Sequence, residues 1–480
     1  MPRLLITLMP IVLLSACTGQ DEGPVPERAW LAGDHHIHSR FSVGWDDKQT
    51  PPEPVVGGDA IYPIPMNNLM AKHFGLSWTV ATDHGGPNHS KVSLELAYPE
   101  LLQSRAVLPD MVQFFGLELN SPGGDHSSLI VPHTHDEGEI LADLERRFDK
   151  REAFPLDHSH DTEDRMLEAL DYMKSLPQPP VVIANHPSRS ALDYGVYGYY
   201  SPEEFRNWND KAPNVAIGMA GAPGHQAIAF SNSNRFIDDR FRARGGYGRY
   251  PTLGGFDQMT ATLGGFWDAM LGEGRRWWIT ANSDSHVHYT EGGIDFWPGE
   301  YSKTYVWAEK THADVLDGLR GGRIFVTTGD LISAMDFAIE GEQQRATLGG
   351  EYMGTTGETV TVTIRITDPD TKNHNDENPV VRRVDLVYGD VIGPAADRSL
   401  NANPTTRVQR RFTSDEWKRE GNELVMTTEL TLTGPAYLRL RGTNTDELEP
   451  ETDPPAENPW QDLWFYSNPI FISVSESDKG

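Results

Sequence analysis

The sequence predicts a mostly parallel α/β fold over residues 30–335 and an all-β sandwich over 336–480. Three observations predict it. Short apolar runs recur at residues 78–81, 112–115, 181–184 and 277–281, the length of buried strands rather than helices. Between them lie segments with apolar residues at helical spacing, the clearest being 162–174 with Met166, Leu167, Leu170 and Met173. From Asp336 the texture changes. Residues 359–366 alternate cleanly with period two, and further strand patterns follow at 381–387, 423–432, 436–441 and 470–474.

Taken from the N-terminus, residues 1–16 read as a signal peptide. Arg3 gives a positive start, residues 4–14 an apolar core, and Leu14-Ser15-Ala16-Cys17 a small-residue cleavage site. The apolar run is shorter than the ~20 residues of a membrane-spanning helix. The pattern resembles a bacterial lipoprotein signal, with Cys17 as the lipidated residue and 17–29 as a tether. The expectation is an exported protein, periplasmic or outer-membrane, of a Gram-negative bacterium, touching a membrane only through that anchor. The folded part opens on a strand ending in Gly33-Asp34-His35-His36-Ile37-His38-Ser39. After a Pro/Gly-rich connection (49–65) comes a helix over 67–74, closed by Gly75. Ser201-Pro202-Glu203-Glu204 has the form of a capping box with proline at the first helical position. Residues 266–271 and 311–319 read as further helices. Residues 188–250, rich in Tyr, Gly, Asn and Arg, read as long loops over the site.

Lys and Arg number 41 against 70 Asp and Glu, a net charge of −29 that repels polyanions and argues against a nucleic-acid partner. Cys17 is the only cysteine, so no disulfide, thiolate ligand or cysteine nucleophile is expected. A hydrophobic content of 38% suffices for a core and excludes a disordered chain.

The apolar runs share an ending. In order, the strand-end residues are His36-x-His38, Asp83-His84, Glu118, His126, His186 and Asp284-x-His286. All are types that bind first-row or magnesium-like ions through nitrogen and oxygen. Alternate residues on a strand share a face, so His36 and His38 aim at one point. Glu118 on an apolar strand has no structural explanation, because a buried carboxylate needs a partner. The carboxyl ends of strands are also where β/α barrels hold their active sites. Other histidines read differently. His133, His135, His158 and His160 sit in polar segments and read as solvated loop residues. His288 shares the alternation of His286, His225 either lines the pocket or caps a glycine turn, and Trp277 and Trp278 read as core.

These motifs resemble the polymerase and histidinol phosphatase (PHP) family of metal-dependent phosphoesterases. The matching elements, in the family's order, are Asp34-His35-His36-Ile37-His38-Ser39, Thr82-Asp83-His84, Gly116-Leu117-Glu118, His126, His186-Pro187 and Ser283-Asp284-Ser285-His286. The resemblance implies a distorted seven-stranded β/α barrel. It also implies one ion held by His36, His38, Glu118 and Asp284, and a second by Glu118 as a bridge with His126 and His186. His84 and His286 then hold a third ion or act on substrate, and Asp83 stands among the implied ligand residues. Many members carry an aspartate in a Ser-Asp-Gly where this chain has Ser42-Val43-Gly44, which leaves the count at two ions or three; Asp46 and Asp47 are the nearby acids. A finer resemblance, through Gly321-Gly322-Arg323-Ile324-Phe325 and Tyr466-Ser467-Asn468-Pro469, is to secreted or lipoprotein relatives of carbaryl hydrolases.

The expected function is hydrolysis of a small phosphoester, a phosphodiester by preference, by a metal-activated hydroxide, with Mn, Zn or Fe as the divalent ion. Asp284 is the natural carboxylate to take the proton of the attacking water. His84 or His286 then steadies the oxyanion or protonates the leaving group. Arg189, three residues beyond His186, is placed to meet a phosphate oxygen, or else pairs with a loop carboxylate. Two alternatives stand beside this: a carboxyl-ester or carbamate hydrolase using the same metals, and a non-catalytic metal- or glycan-binding lipoprotein.

Overall fold

The computed structural model describes residues 27–225, 247, 250–453 and 457–476. The signal peptide, Cys17 and most of the 17–29 tether lie outside the described residues, as does much of 188–250. Among the described residues no helix is long and apolar enough to cross a membrane.

The fold is mixed α/β, built on one fifteen-stranded sheet and a second sheet of five strands. The site lies on the half of the large sheet running Ile324–Thr328, Ser302–Ala308, Ala29–Ile37, Trp78–His84, Val112–Asn120, His126–Ile130, Val181–Ala184, Ala216–Ala222, Trp278–Ala281. The expected mostly parallel order is corrected to a mixed one. Ala29–Ile37, Trp78–His84 and Val112–Asn120 run parallel, as do Val181–Ala184, Ala216–Ala222 and Trp278–Ala281. His126–Ile130, between the two sets, is antiparallel to both neighbours. Connection length decides this: only residues 121–125 join Val112–Asn120 to His126–Ile130, too few for the crossover that a parallel pair needs.

That reversal positions the site. Asn120 pairs with His126, so the start of the antiparallel strand lies beside the ends of the parallel ones. The ends of Ala29–Ile37 and Trp278–Ala281, well separated along that path, also approach each other there. His38 N–H donates to Ser285 O at 3.0 Å, and Asp284 N–H to His36 O at 3.0 Å. Below these contacts the Thr304 hydroxyl links Ser302–Ala308 to Ala281 N and O, both at 2.7 Å. The strand path itself does not show a closed barrel.

The strands are buried as their composition demands. Every residue of Val112–Asn120 is buried, and so is every residue of Val181–Ala184, Ala216–Ala222 and Trp278–Ala281. Gly33 is required where the first two parallel strands meet, because a Cβ there would stand 2.0 Å from the buried Trp78 ring. The helices match their sequence signals closely. Thr162 and Thr311 cap Glu163–Ser175 and His312–Arg320, their hydroxyls accepting from Arg165 N–H and Asp314 N–H. Helices Tyr98–Val107 and Glu137–Phe148 were not foreseen. Within 188–250, helix Pro202–Lys211 starts where the capping box places it, while strand Ala216–Ala222 stands where long loops are expected.

Ser201 caps Pro202–Lys211 through a bond from Glu204 N–H at 3.1 Å. The Glu204 carboxyl is buried, and burial together with Glu163 pushes it up to about 8 from an ordinary 4.5. The folded state therefore holds this proton more tightly than the unfolded chain, and stability is lost as pH rises from about 4.5 through about 8. E204Q removes that penalty. Its unfolding free energy from urea titration is expected to exceed the wild type's at pH 8, by on the order of 4 kcal/mol, and to match it near pH 4.5. Equal free energies at pH 8 would contradict the assignment.

At the C-terminal side, strand Trp464–Ser467 pairs with Ile324–Thr328 and carries the large sheet on into Ala436–Thr443, Ile470–Ser475 and Arg383–Asp390. The five-stranded sheet, centred on Thr359–Thr367, packs against this extension. Val362, Ile364 and Ile366 from one side and Leu386, Leu438 and Leu440 from the other share one apolar cluster. Burial alternates along Thr359–Thr367, as its period-two sequence requires.

Candidate metal centre

Glu118 is the centre of the site. Its carboxylate is fully buried and ringed by nitrogen atoms. Oε1 lies 3.0 Å from His36 Nε2, 3.2 Å from His126 Nδ1 and 3.1 Å from His186 Nε2. Oε2 lies 2.9 Å from His84 Nδ1 and 3.4 Å from His38 Nε2. Asp284 meets the first pair from the opposite side, its Oδ1 being 3.1 Å from His36 Nε2 and 3.0 Å from His38 Nε2. The His36 and His38 Nε2 atoms are 2.9 Å apart, as strand alternation requires.

Among the described residues, His36, His38, Glu118 and Asp284 each offer one donor atom within 4.8 Å of the others. The same holds for His84, Glu118 and His126, for His38, His84 and His286, and for His225, Asp284 and His286. Donor atoms ~2.0–2.1 Å from a shared first-row ion stand ~2.9–3.4 Å from one another. The separations around Glu118 and Asp284 fall in that interval. Among the described residues, Glu118 Oε2 and Asp284 Oδ1 are reached by no donor in hydrogen-bonding geometry, although imidazole nitrogens stand beside both. Buried carboxylate oxygens facing ring nitrogens without a hydrogen bond are what a cation between them would satisfy. The residues present fit a divalent ion.

Electrostatics points the same way at Glu118, Asp284, His38 and His126, whereas His84 and His186 are raised above an ordinary imidazole, burial being outweighed by Glu118 and, for His186, by Asp125 as well. Burial alone would raise Glu118, but His126, His36 and His84 outweigh it and hold its carboxyl well below the usual range. Asp284 is likewise held well below its ordinary value, burial being outweighed by His225 and His36. Burial, with His286 and His84 nearby, holds His38 well below an ordinary imidazole, and burial lowers His126 to about 4. Both rings are therefore neutral at pH 7, the state a ligand requires.

Supporting contacts fix these atoms. Asp34 accepts His36 N–H at 2.9 Å and Ser283 N–H at 3.0 Å, tying the first strand to the Asp284 segment. His38 Nδ1 is bonded to Ser42 Oγ at 2.7 Å, leaving Nε2 for the centre. Asn185 donates to Glu118 Oε1 at 3.0 Å. His35, the odd member of the opening motif, faces away and bridges Ser128 Oγ and Thr280 Oγ1 at 3.0 and 2.8 Å. Strain collects here: His186, His225 and Asp284 all have positive φ (29°, 63° and 48°), unusual for residues with a Cβ.

The structure regroups several of the expected residues. Asp83 turns away from the cluster around Glu118. Its carboxylate accepts Ser39 N–H, Ser39 Oγ–H and Ser42 Oγ–H at 2.6, 2.9 and 3.1 Å, shaping the turn after His38. His84 rather than His186 completes the group of Glu118 and His126, while His186 also faces Asp125, Nδ1 to Oδ2 at 3.6 Å. Arg189 pairs with the same Asp125, Nη2 to Oδ1 at 3.1 Å, the carboxylate partner foreseen as its alternative role. His286 and His84 face each other at the more open side, Nε2 to Nε2 at 3.4 Å. The acid beside them is Asp59, its Oδ2 3.5 Å from His286 Nε2 and 3.7 Å from His84 Nε2, and not Asp46 or Asp47.

The histidines set aside remain apart. His133 pairs with Glu137, His135 is 94% exposed, and His158 and His160 lie on a surface turn. His288 is bonded to Glu300 and Thr290. Four further residues contribute that the strand-end pattern does not mark: Asp125, Asn185, Asp59 and Asp295, the last accepting from the His286 and Val287 N–H groups. The first two adjoin predicted ligands, a signal that was there to use; the last two lie in irregular segments and give none. Comparison with known families and curated proteins finds no matching family model and no matching curated protein.

Proposed function

We propose that the chain is a metal-dependent phosphoesterase of the PHP type, acting on a small phosphodiester. The observation that supports this best is Glu118: a fully buried carboxylate with five imidazoles directed at its two oxygens. Such a group costs folding free energy unless it serves a cation. On this reading the site-bearing strands form the family's distorted seven-stranded barrel over residues 30–335, with 336–480 an appended β-sandwich. His36, His38, Glu118 and Asp284 hold one Mn, Zn or Fe ion, and Glu118, His126 and His84 or His186 hold another.

When bound, such a pair of ions supplies an acidic water at neutral pH and positive charge for the ester oxygens. The remaining chemistry belongs to the chain. Asp284, held in its carboxylate form, accepts a hydrogen bond from the attacking water and orients it. His286, partly exposed at the open side, and His84 where His186 completes the second ion's group, bind the ester oxygens and return a proton to the leaving alkoxide. Arg189 keeps part of its guanidinium beyond Asp125 for a phosphate oxygen. The strongly acidic composition favours a small substrate over a nucleic acid. Export as a lipoprotein through Cys17 is part of the same proposal.

The test is a substrate panel on metal-loaded protein: bis(p-nitrophenyl) phosphate, p-nitrophenyl phosphate and p-nitrophenyl acetate. The expected order places the phosphodiester first. Turnover of the acetate alone would replace this proposal with the carboxyl-ester reading.

A further inference from the structure

Asp284 uses its two oxygens differently. Oδ1 faces His36 and His38, whereas Oδ2 lies 2.7 Å from His225 Nε2. His225 is fixed from behind, its Nδ1 2.5 Å from Asp295 Oδ1. Asp295 is itself buried, and its other oxygen accepts His286 N–H at 2.8 Å and Val287 N–H at 3.1 Å. One carboxylate thus joins the loop after Ala216–Ala222 to the loop after Trp278–Ala281. The two loops also touch directly. A Cβ on Gly224 would stand 2.1 Å from Ser283 O, so only glycine lets the His225 loop come this close. His225 and Asp284 both hold left-handed backbone conformations that side chains with a Cβ rarely adopt, which the surrounding contacts must enforce.

Resting on the reading that the cluster holds divalent ions, we infer that Asp295 and His225 form a clamp that holds Asp284 as a one-oxygen ligand. A free carboxylate can turn about its last torsion and offer both oxygens to a cation. His225 occupies Oδ2 and so presents Oδ1 alone to the His36–His38 pair. His225 is a positioning residue, with no ligand role. Its backing carboxylate is the outer partner that orients the imidazole, the arrangement common behind metal ligands.

The measurement is Zn2+ affinity and stoichiometry, read by competition with a chromogenic chelator on metal-depleted full-length protein. For H225A the affinity is expected to fall roughly 10–100-fold, the scale of losing an outer-shell partner, at unchanged ion count. H225Q, whose amide can still donate to Asp284 Oδ2, is expected to recover most of that loss, which a merely structural role for the ring would not produce. D295N tests the same clamp from its other end and stands in if H225A does not fold by circular dichroism. Wild-type affinity in H225A, or in D295N if it must stand in, overturns the clamp. Loss of a whole ion from H225A overturns it too, making His225 a ligand. If the wild type takes up no zinc, the metal reading itself falls; if only the variants match the wild type, the clamp alone falls.

Discussion

Replacing Glu118 with glutamine is expected to strip the centre of its ions and to abolish hydrolysis. The side chain keeps its shape and loses its charge, so the comparison isolates the carboxylate. Both oxygens of Glu118 face imidazole nitrogens, and two of the candidate ion groups, His36–His38–Glu118–Asp284 and His84–Glu118–His126, share this carboxylate. A neutral amide there would turn an N–H toward imidazole nitrogens and remove the anion that two cations are proposed to share. The loss of turnover should exceed the roughly 10–100-fold that follows from removing an outer-shell partner. Metal content by elemental analysis and turnover of bis(p-nitrophenyl) phosphate measure the two halves of this expectation. Full metal content in folded E118Q would contradict the bridging role.

The second large effect concerns stability rather than chemistry. Asp268, on helix Phe266–Gly272, receives Arg439 Nε and Nη2 at 2.8 and 2.7 Å from strand Ala436–Thr443, and the Tyr437 hydroxyl at 3.0 Å. Both ionic side chains are about 1% exposed, and the guanidinium also lies over the Trp267 ring. R439A leaves the Asp268 carboxylate buried without its charge partner. Breaking such a pair from one side costs about 3–5 kcal/mol, whereas exchanging both partners for apolar groups of similar volume costs far less. R439A is therefore expected to lower the denaturant midpoint severely, and R439M/D268L much less. Equal losses in the two variants would show that the pair acts through packing and not through charge. The contact matters because it ties a helix beside the site-bearing strands to the C-terminal strands.

Much of the candidate centre could be read from the sequence, for a definite reason. Parallel strands end at one edge of a sheet, so apolar runs that each close in His, Asp or Glu deliver those residues to one place. His36, His38, Glu118 and Asp284 meet in this way. His126 meets them for a different reason, a reversal of chain direction that the five-residue connection after Asn120 imposes. His126–Ile130 is too polar to read as an apolar run, so an expectation built on such runs does not register its reversal. A strand end also does not say which way each side chain turns: Asp83 is a ligand type beside His84, yet its carboxylate closes the turn after His38. Asp59 and Asp295 were invisible because they lie in irregular segments placed by tertiary contact alone. In the C-terminal part, period two revealed Thr359–Thr367 at once, whereas Arg407–Thr413, mostly exposed and rich in arginine, shows no such pattern.

The most direct measurement is a metal titration of activity. Protein depleted with a chelator is loaded stepwise with Mn, Zn or Fe, and hydrolysis of bis(p-nitrophenyl) phosphate is followed against ions bound per chain. Activity is expected to be absent at first and to saturate at two or three ions per chain. A protein that binds ions to saturation and cleaves no phosphodiester, or that cleaves it equally well without them, would contradict the proposed phosphoesterase.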